Sequence, residues 1–145
     1  MKKETAISQS SPCTCINLRR AALAITKYYD QKLAPSRLTI VQFSLLRHIK
    51  LLGPINVSDL ASKVRLDRTT LVRNLKPLEI AGLIVDISKS GMRNRQLLLT
   101  AEGIQRCTQA ELLWKDAQSS VEQNLGPENL NKLTTLLYAV ETLEI

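Results

Sequence analysis

Apolar positions recur at helical spacing through most of the chain. Leu18, Ala21, Ala22, Ile25, Tyr28, Tyr29 and Leu33 mark a first helix over about 15–33. The stretch "APS" at 34–36 interrupts it. Thr39 and Gln42 have the spacing of a capping box, and Phe43, Leu46, Ile49 and Leu52 then share one helical face. "LGP" closes this second helix. Asn56 with Asp59 opens a short helix, "VSDLASKV", and Asp67 caps the next, "RTTLVRNLKPLEIAGL". Gly82 is placed to stop that helix in a left-handed turn. Pro77 lies inside it, where a kink is expected because proline removes a donor and crowds the carbonyl of Arg73.

The period then changes. "LIVDIS" and "RQLLLT" are short β-prone runs joined by "KSGMRN", a hairpin with a basic loop. Thr100 caps a long helix reaching about Leu125, and Gly126-Pro127 breaks and restarts the chain. The last helix repeats Leu130, Leu133, Leu137 and Val140, the spacing of a helix–helix seam. The order is therefore helix, helix, short helix, turn, helix, hairpin, helix, helix. This predicts a mainly α fold in which a helix-turn-helix is followed by a β-hairpin wing.

Charge adds a partner to this outline. The chain of 145 residues has a formal net charge of +7. Residues 63–106 carry nine Lys or Arg against four acids, whereas residues 107–145 carry two against six. Positive charge thus gathers around the helix-turn-helix and hairpin, as a polyanion-binding surface requires. The polar face of the second helix of the motif carries Arg68, Thr69, Thr70, Arg73, Asn74 and Lys76, with no acid between Arg68 and Lys76. Arg pairs with guanine N7 and O6, and Asn with adenine N6 and N7. Threonine hydroxyls suit phosphates. In the hairpin, Lys89, Arg93 and Arg95 sit in or beside a glycine-containing loop, a suitable probe for a minor groove. Duplex DNA is the expected partner.

The ordered set "LTIVQFSLLRHI...GPINVSDLASKVRLDRTTLVRNLKPLEIAGLI", with the wing "GMRNRQLLLTAEG", resembles the MarR family of winged-helix transcriptional regulators. The likeness covers roughly residues 15–144. It implies a homodimer whose first and last two helices interlock, and two recognition helices in successive major grooves of a pseudo-palindromic operator. By motif position Arg73 resembles the recognition-helix arginine, and Arg93 or Arg95 the wing arginine. Gly91 stands where the family's wing often has an aspartate that braces this arginine, and Lys76-Pro77 is a second departure. The resemblance implies dimerisation helices at 13–35 and 101–145, a DNA-binding lobe at 36–100 and the role of a repressor. The polar, Ser-rich residues 1–12 have no periodicity and are expected to be a disordered tail, and the cytoplasm is the expected compartment because no signal peptide or membrane span is read. A winged-helix module that binds protein instead of DNA is the alternative; it would need apolar anchors on the faces that here carry Arg, Lys, Thr and Asn.

Control of binding is read from the aromatics and the thiols. Family members commonly take small anionic or aromatic ligands between the dimer helices and the lobe. Tyr28, His48 and Trp114 are candidates to line such a pocket, or else plain core. "CINLRRAALAITKYY" resembles the first helix of the family's organic-hydroperoxide-sensing branch, with Cys15 in the sensing position and Tyr29 matching a tyrosine that bonds the thiol. A helix N-terminus with Arg19 one turn on favours a thiolate there. Oxidation to a sulfenic acid and then a disulfide follows, with Cys107 as a candidate resolving thiol. The branch's other tyrosines appear here as Phe43 and Arg19, and an unreactive thiol at the dimer interface is the competing reading. Cys13 is too close in sequence to Cys15 for an unstrained disulfide.

Other classes are not expected. Three thiols and one distant His lack metal-ligand spacing, so no metal or cofactor is expected. One His, no nucleophile–base pair at short range and no phosphate loop argue against an enzyme. No apolar run is long enough for a membrane span, and the polar start is unlike a signal peptide.

Overall fold

The computed structural model describes residues 2–89 and 94–144. Its helices are α1 (Lys2–Gln9), α2 (Thr14–Leu33), α3 (Ile40–Leu52), α4 (Val57–Val64), α5 (Arg68–Ile80), α6 (Ala101–Leu125) and α7 (Pro127–Glu141). A 3-10 turn, Ala34–Ser36, joins α2 to α3. Strands β1 (Ile84–Asp86) and β2 (Leu97–Leu99) form an antiparallel pair, with Ile84 opposite Leu99 and Asp86 opposite Leu97. This is the winged helix-turn-helix architecture expected from the sequence. No described helix is long and apolar enough to cross a membrane.

The caps read from the sequence are formed. The Thr39 and Gln42 side chains exchange both capping-box bonds at the start of α3. Asn56 accepts the Asp59 amide at 2.7 Å, Asp67 the Thr70 amide at 2.8 Å, and Thr100 the Gly103 amide at 3.0 Å. Each satisfies a donor that the first helical turn leaves open. Gly82, at φ +73°, ends α5 as expected. The amides of Gly82 and Leu83 return to the carbonyls of Glu79 and Leu78 in a Schellman motif.

The core belongs to the lobe. Phe43, Leu45, Leu46 and Ile49 of α3 meet Leu60 of α4, Leu71, Leu75 and Leu78 of α5, Leu83, Ile84 and Leu97 at the root of the wing, and Cys107 and Ala110 of α6. Leu52, expected on the buried face of α3, is instead 42% exposed, because α3 ends there. Within the segment read as a tail, Lys2–Gln9 form α1, where Lys, Glu, Ala and Gln in a stretch without Gly or Pro favour a helix. A stapled turn follows, in which the Asn17 amide group bonds both the amide and carbonyl of Ser11.

Two long-range features position the wing. Ile55 and Leu97 exchange backbone bonds at 2.9 and 3.2 Å, so the chain entering α4 forms a third, single-residue rung on the hairpin. At the other side, a Cβ on Gly103 would lie 2.0 Å from the Leu83 carbonyl oxygen. Glycine there lets α6 start directly against the turn between α5 and β1. Thr100 locks the junction by donating its hydroxyl to the Gly82 carbonyl at 2.7 Å.

Candidate nucleic-acid interface

Helix α5 is seated by Leu71, Leu75 and Leu78, all essentially inaccessible. That seating dictates the opposite face. Thr69, Arg73 and Lys76 fall at i, i+4 and i+7, point outward and are exposed. Val72 shares this face at 44% exposure; the sequence reading missed it because an apolar residue on a helix is assigned to the core by default. Arg68 and Asn74 flank the face, and Asn74 is half-buried because it lies next to the Leu71–Leu78 stripe. The helix runs through Pro77 to Ile80.

The start of α5 is electrostatically defined. Asp67 accepts both the amide and the hydroxyl of Thr70, the latter at 2.7 Å. These bonds hold its carboxyl below the usual carboxylate range. The Thr70 hydroxyl proton is therefore committed to the cap and is not free to be donated to a phosphate. Arg68 extends toward Ser58 of α4, with Nη1 3.5 Å from its hydroxyl.

The wing arginines separate. Arg95, expected to project toward DNA, is turned inward. Its guanidinium pairs with Glu79 of α5, and its Nε lies 3.3 Å from Asp86 Oδ2 on β1. The other oxygen of Asp86 accepts the amides of Ser88 and Gln96 at 2.9 and 3.0 Å. These bonds, led by those from Ser88, push the Asp86 carboxyl down. Asp86 and Glu79 were not singled out by the sequence; nothing local marks an acid that pairs nine or more residues away. Lys89 is exposed at the end of the described part of the hairpin. Arg93, like Gly91, lies outside the described residues.

The thiol and aromatic candidates are dispersed. Cys13 is the N-cap residue of α2 and Cys15 is the second helical residue; both are exposed. Cys13 therefore stands at the helix entrance, with its amide bonded to Ser11 Oγ at 3.0 Å. Tyr29 lies fourteen residues beyond Cys15 on α2, roughly 21 Å along the axis, so the two cannot meet within one chain. The Tyr29 hydroxyl donates instead to Gln118 of α6. Cys107 is enclosed in the core, and burial pushes its thiol up. Tyr28 stands edge-on to Tyr29 with Lys32 over its ring. The His48 ring pairs with the Ser44 carbonyl at 2.7 Å. Trp114 packs against Phe43 at 6.3 Å between centroids, beneath Arg47. A polar cavity of about 290 Å³ opens elsewhere, between the 3-10 turn and α6, with Arg37, Glu102, Gln105, Arg106 and Gln109 at its walls. Among the described residues no cluster of three or more potential metal ligands forms.

Comparison with known proteins agrees with this geometry. The model of the MarR family matches residues 38–86, from just before α3 to the end of β1. The transcriptional regulator MosR of M. tuberculosis, in complex with DNA, is 34% identical over 92% of this chain and 99% of that one, with a TM-score of 0.77. The transcriptional repressor CouR bound to a 23-mer DNA duplex is 27% identical over 89% of this chain and 92% of that one, with a TM-score of 0.79. CouR bound to p-coumaroyl-CoA superposes with a TM-score of 0.81 at 25% identity, covering 91% of this chain and 94% of that one. A search of curated protein sequences finds no match. The fold and its exposed basic helix define a winged helix-turn-helix DNA-binding protein. The chain belongs to the MarR family of DNA-binding transcriptional regulators.

Proposed function

We propose that this chain is a homodimeric repressor that reads a pseudo-palindromic operator with α5. The observation that carries this reading is the outer face of α5 from Arg68 to Lys76, which carries no acid and where Arg73 projects between Thr69 and Lys76 from a helix fixed by three buried leucines. Arg73 and Asn74 read base edges, Val72 meets a thymine methyl, and Arg68, Thr69 and Lys76 hold phosphates. Lys89 and Arg93 carry the wing contact, with Arg95 bracing it from behind.

Dimerisation is supported by what the chain leaves uncovered. Helix α7 buries no residue, and Leu133, Leu136, Leu137 and Val140 are all exposed. On α2, Ile16, Leu23 and Ile25 are exposed as well. Two such stripes, on 13–35 and 101–145, match the interlocking helices of a dimer, whose closure would bury them. The dimer acts on the chromosome, hence in the cytoplasm.

Release is assigned to a small ligand or to oxidation of Cys15. CouR, a relative, binds p-coumaroyl-CoA, and exposure of Cys15 at a helix start supports the thiol route. The polar cavity beside α6 and the dimer groove near Tyr28 and Trp114 are the places for a ligand.

Selection of duplexes from a random library by the purified protein tests the reading. An inverted repeat with half-site centres about one helical turn apart is expected, bound by a species of twice the chain mass. A monomer in sedimentation, or selection of no duplex, overturns it.

A further inference from the structure

We infer that Arg65 is a positioning residue that latches the turn of the helix-turn-helix to the end of α7 and so sets the spacing at which the two heads engage DNA. This rests on the homodimeric operator-binding reading above.

Arg65 ends α4 in the left-handed conformation, with φ 55° and ψ 43°, and its amide bonds the Ala61 carbonyl. Glycine takes this conformation without strain, whereas an L side chain resists it. The side chain at this position reaches the other end of the sequence. Arg65 Nη1 lies 2.7 Å from Glu141 Oε2, and the guanidinium sits over the Tyr138 ring at 6.0 Å from its centroid. Tyr138 and Glu141 are three residues apart and occupy one face of the last turn of α7. The guanidinium therefore meets a carboxylate and a π-face together, a geometry suited to arginine and not to lysine.

The position of this contact gives it its consequence. The turn it holds leads directly through Asp67 into α5, the reading helix. The helix it holds carries the exposed Leu133, Leu137 and Val140 stripe proposed to join the two chains. The contact thus ties the DNA-reading head to the dimer axis by a route separate from the wing and α6. Both partners are about half exposed, so the tie is too weak to govern folding. It adds a tie from α7 to a head that α2 and α6 also hold.

The test measures discrimination: the ratio of affinities for the duplex selected by the wild-type protein and for the same duplex with one base pair inserted between half-sites. Arg65→Gly keeps the turn while removing the side chain, and Glu141→Gln keeps the shape while removing the charge. Each is expected to lower the discrimination ratio by about two- to fivefold, with little change in melting temperature. The double variant should fall no further than either single one, and the charge-swapped pair Arg65→Glu with Glu141→Arg should regain most of the ratio. An unchanged ratio in both single variants overturns the inference. So does an equal drop in affinity for both duplexes, which marks a phosphate contact or general damage, or full additivity of the two changes. Failure of the wild-type protein to select any duplex overturns the operator-reading proposal itself, and this inference with it.

Discussion

Arg95 Nε lies 3.3 Å from Asp86 Oδ2, across the root of the wing. The same guanidinium holds Glu79 near the end of α5, so one side chain in the segment entering β2 ties α5 to β1. All three side chains are about one third exposed, which removes part of the solvent screening that weakens surface pairs. This group therefore adds a side-chain brace between α5 and the wing to the backbone rung at Ile55 and the junction at Gly103. Arg95→Ala is expected to weaken DNA binding while leaving the base preferences of α5 in place. Affinities measured across a set of single-base operator variants check this; a changed preference at bases read by α5 would contradict it.

Asp86 also carries an acid dependence. Its carboxyl, like that of Asp67, is held below its ordinary value by hydrogen bonds that only the folded chain supplies. A group with a depressed folded pKa stabilises the fold above its unfolded value, near about 4, and this contribution is lost as pH falls through the lowered value. Asp67→Asn and Asp86→Asn should each reduce stability at neutral pH and flatten its decline below about pH 4. Chemical denaturation from pH 7 down to pH 3 checks the sign.

On the reading helix, Arg73→Ala should cost about 1–3 kcal/mol on the preferred duplex and relax the choice of base at one position per half-site. Lys76→Ala should weaken all duplexes alike and lower the slope of log affinity against log salt by about one for each phosphate that the lysine neutralises. Equal behaviour of the two variants in salt titrations would contradict the assigned roles.

Gly103→Ala places a methyl group 2.0 Å from the Leu83 carbonyl oxygen, which is backbone and cannot swing aside. Overpacking of this kind costs about 1–3 kcal/mol, here at the joint between α6 and the wing. A drop in thermal stability of that order is expected. Gly82→Ala meets no neighbour but forces an L residue to φ +73°, so it should also destabilise, through the backbone alone.

The thiols differ in access. Cys13 and Cys15 should react with a maleimide in the native protein well before the enclosed Cys107. On the oxidation reading, organic hydroperoxide should release DNA from the wild-type protein and not from Cys15→Ser. Release that persists in Cys15→Ser, or slow labelling of Cys15, would remove it as the sensor.

The sequence by itself determined helices α2 to α7, the side-chain caps, the helix-turn-helix, the hairpin and the outward face of α5. The caps, the helix ends and the outward face of α5 depend on residues within four positions of one another: a side chain and the amide three residues on, an apolar stripe of one period, a glycine at a helix end; the hairpin shows as two β-prone runs either side of a glycine-containing loop. Thr39 with Gln42, Asp67 with Thr70 and Thr100 with Gly103 are legible for that reason. Only the tertiary structure decided which way Arg95 turns, why position 103 is glycine, that Ile55 joins the wing, and that Arg65 reaches Glu141. Those contacts pair residues far apart in the chain, and their energy depends on distances that packing alone sets. An arginine in a basic loop looks the same in sequence whether it faces a phosphate or a carboxylate; the fold brought Glu79 and Asp86 to Arg95 and so assigned it to the wing's own support.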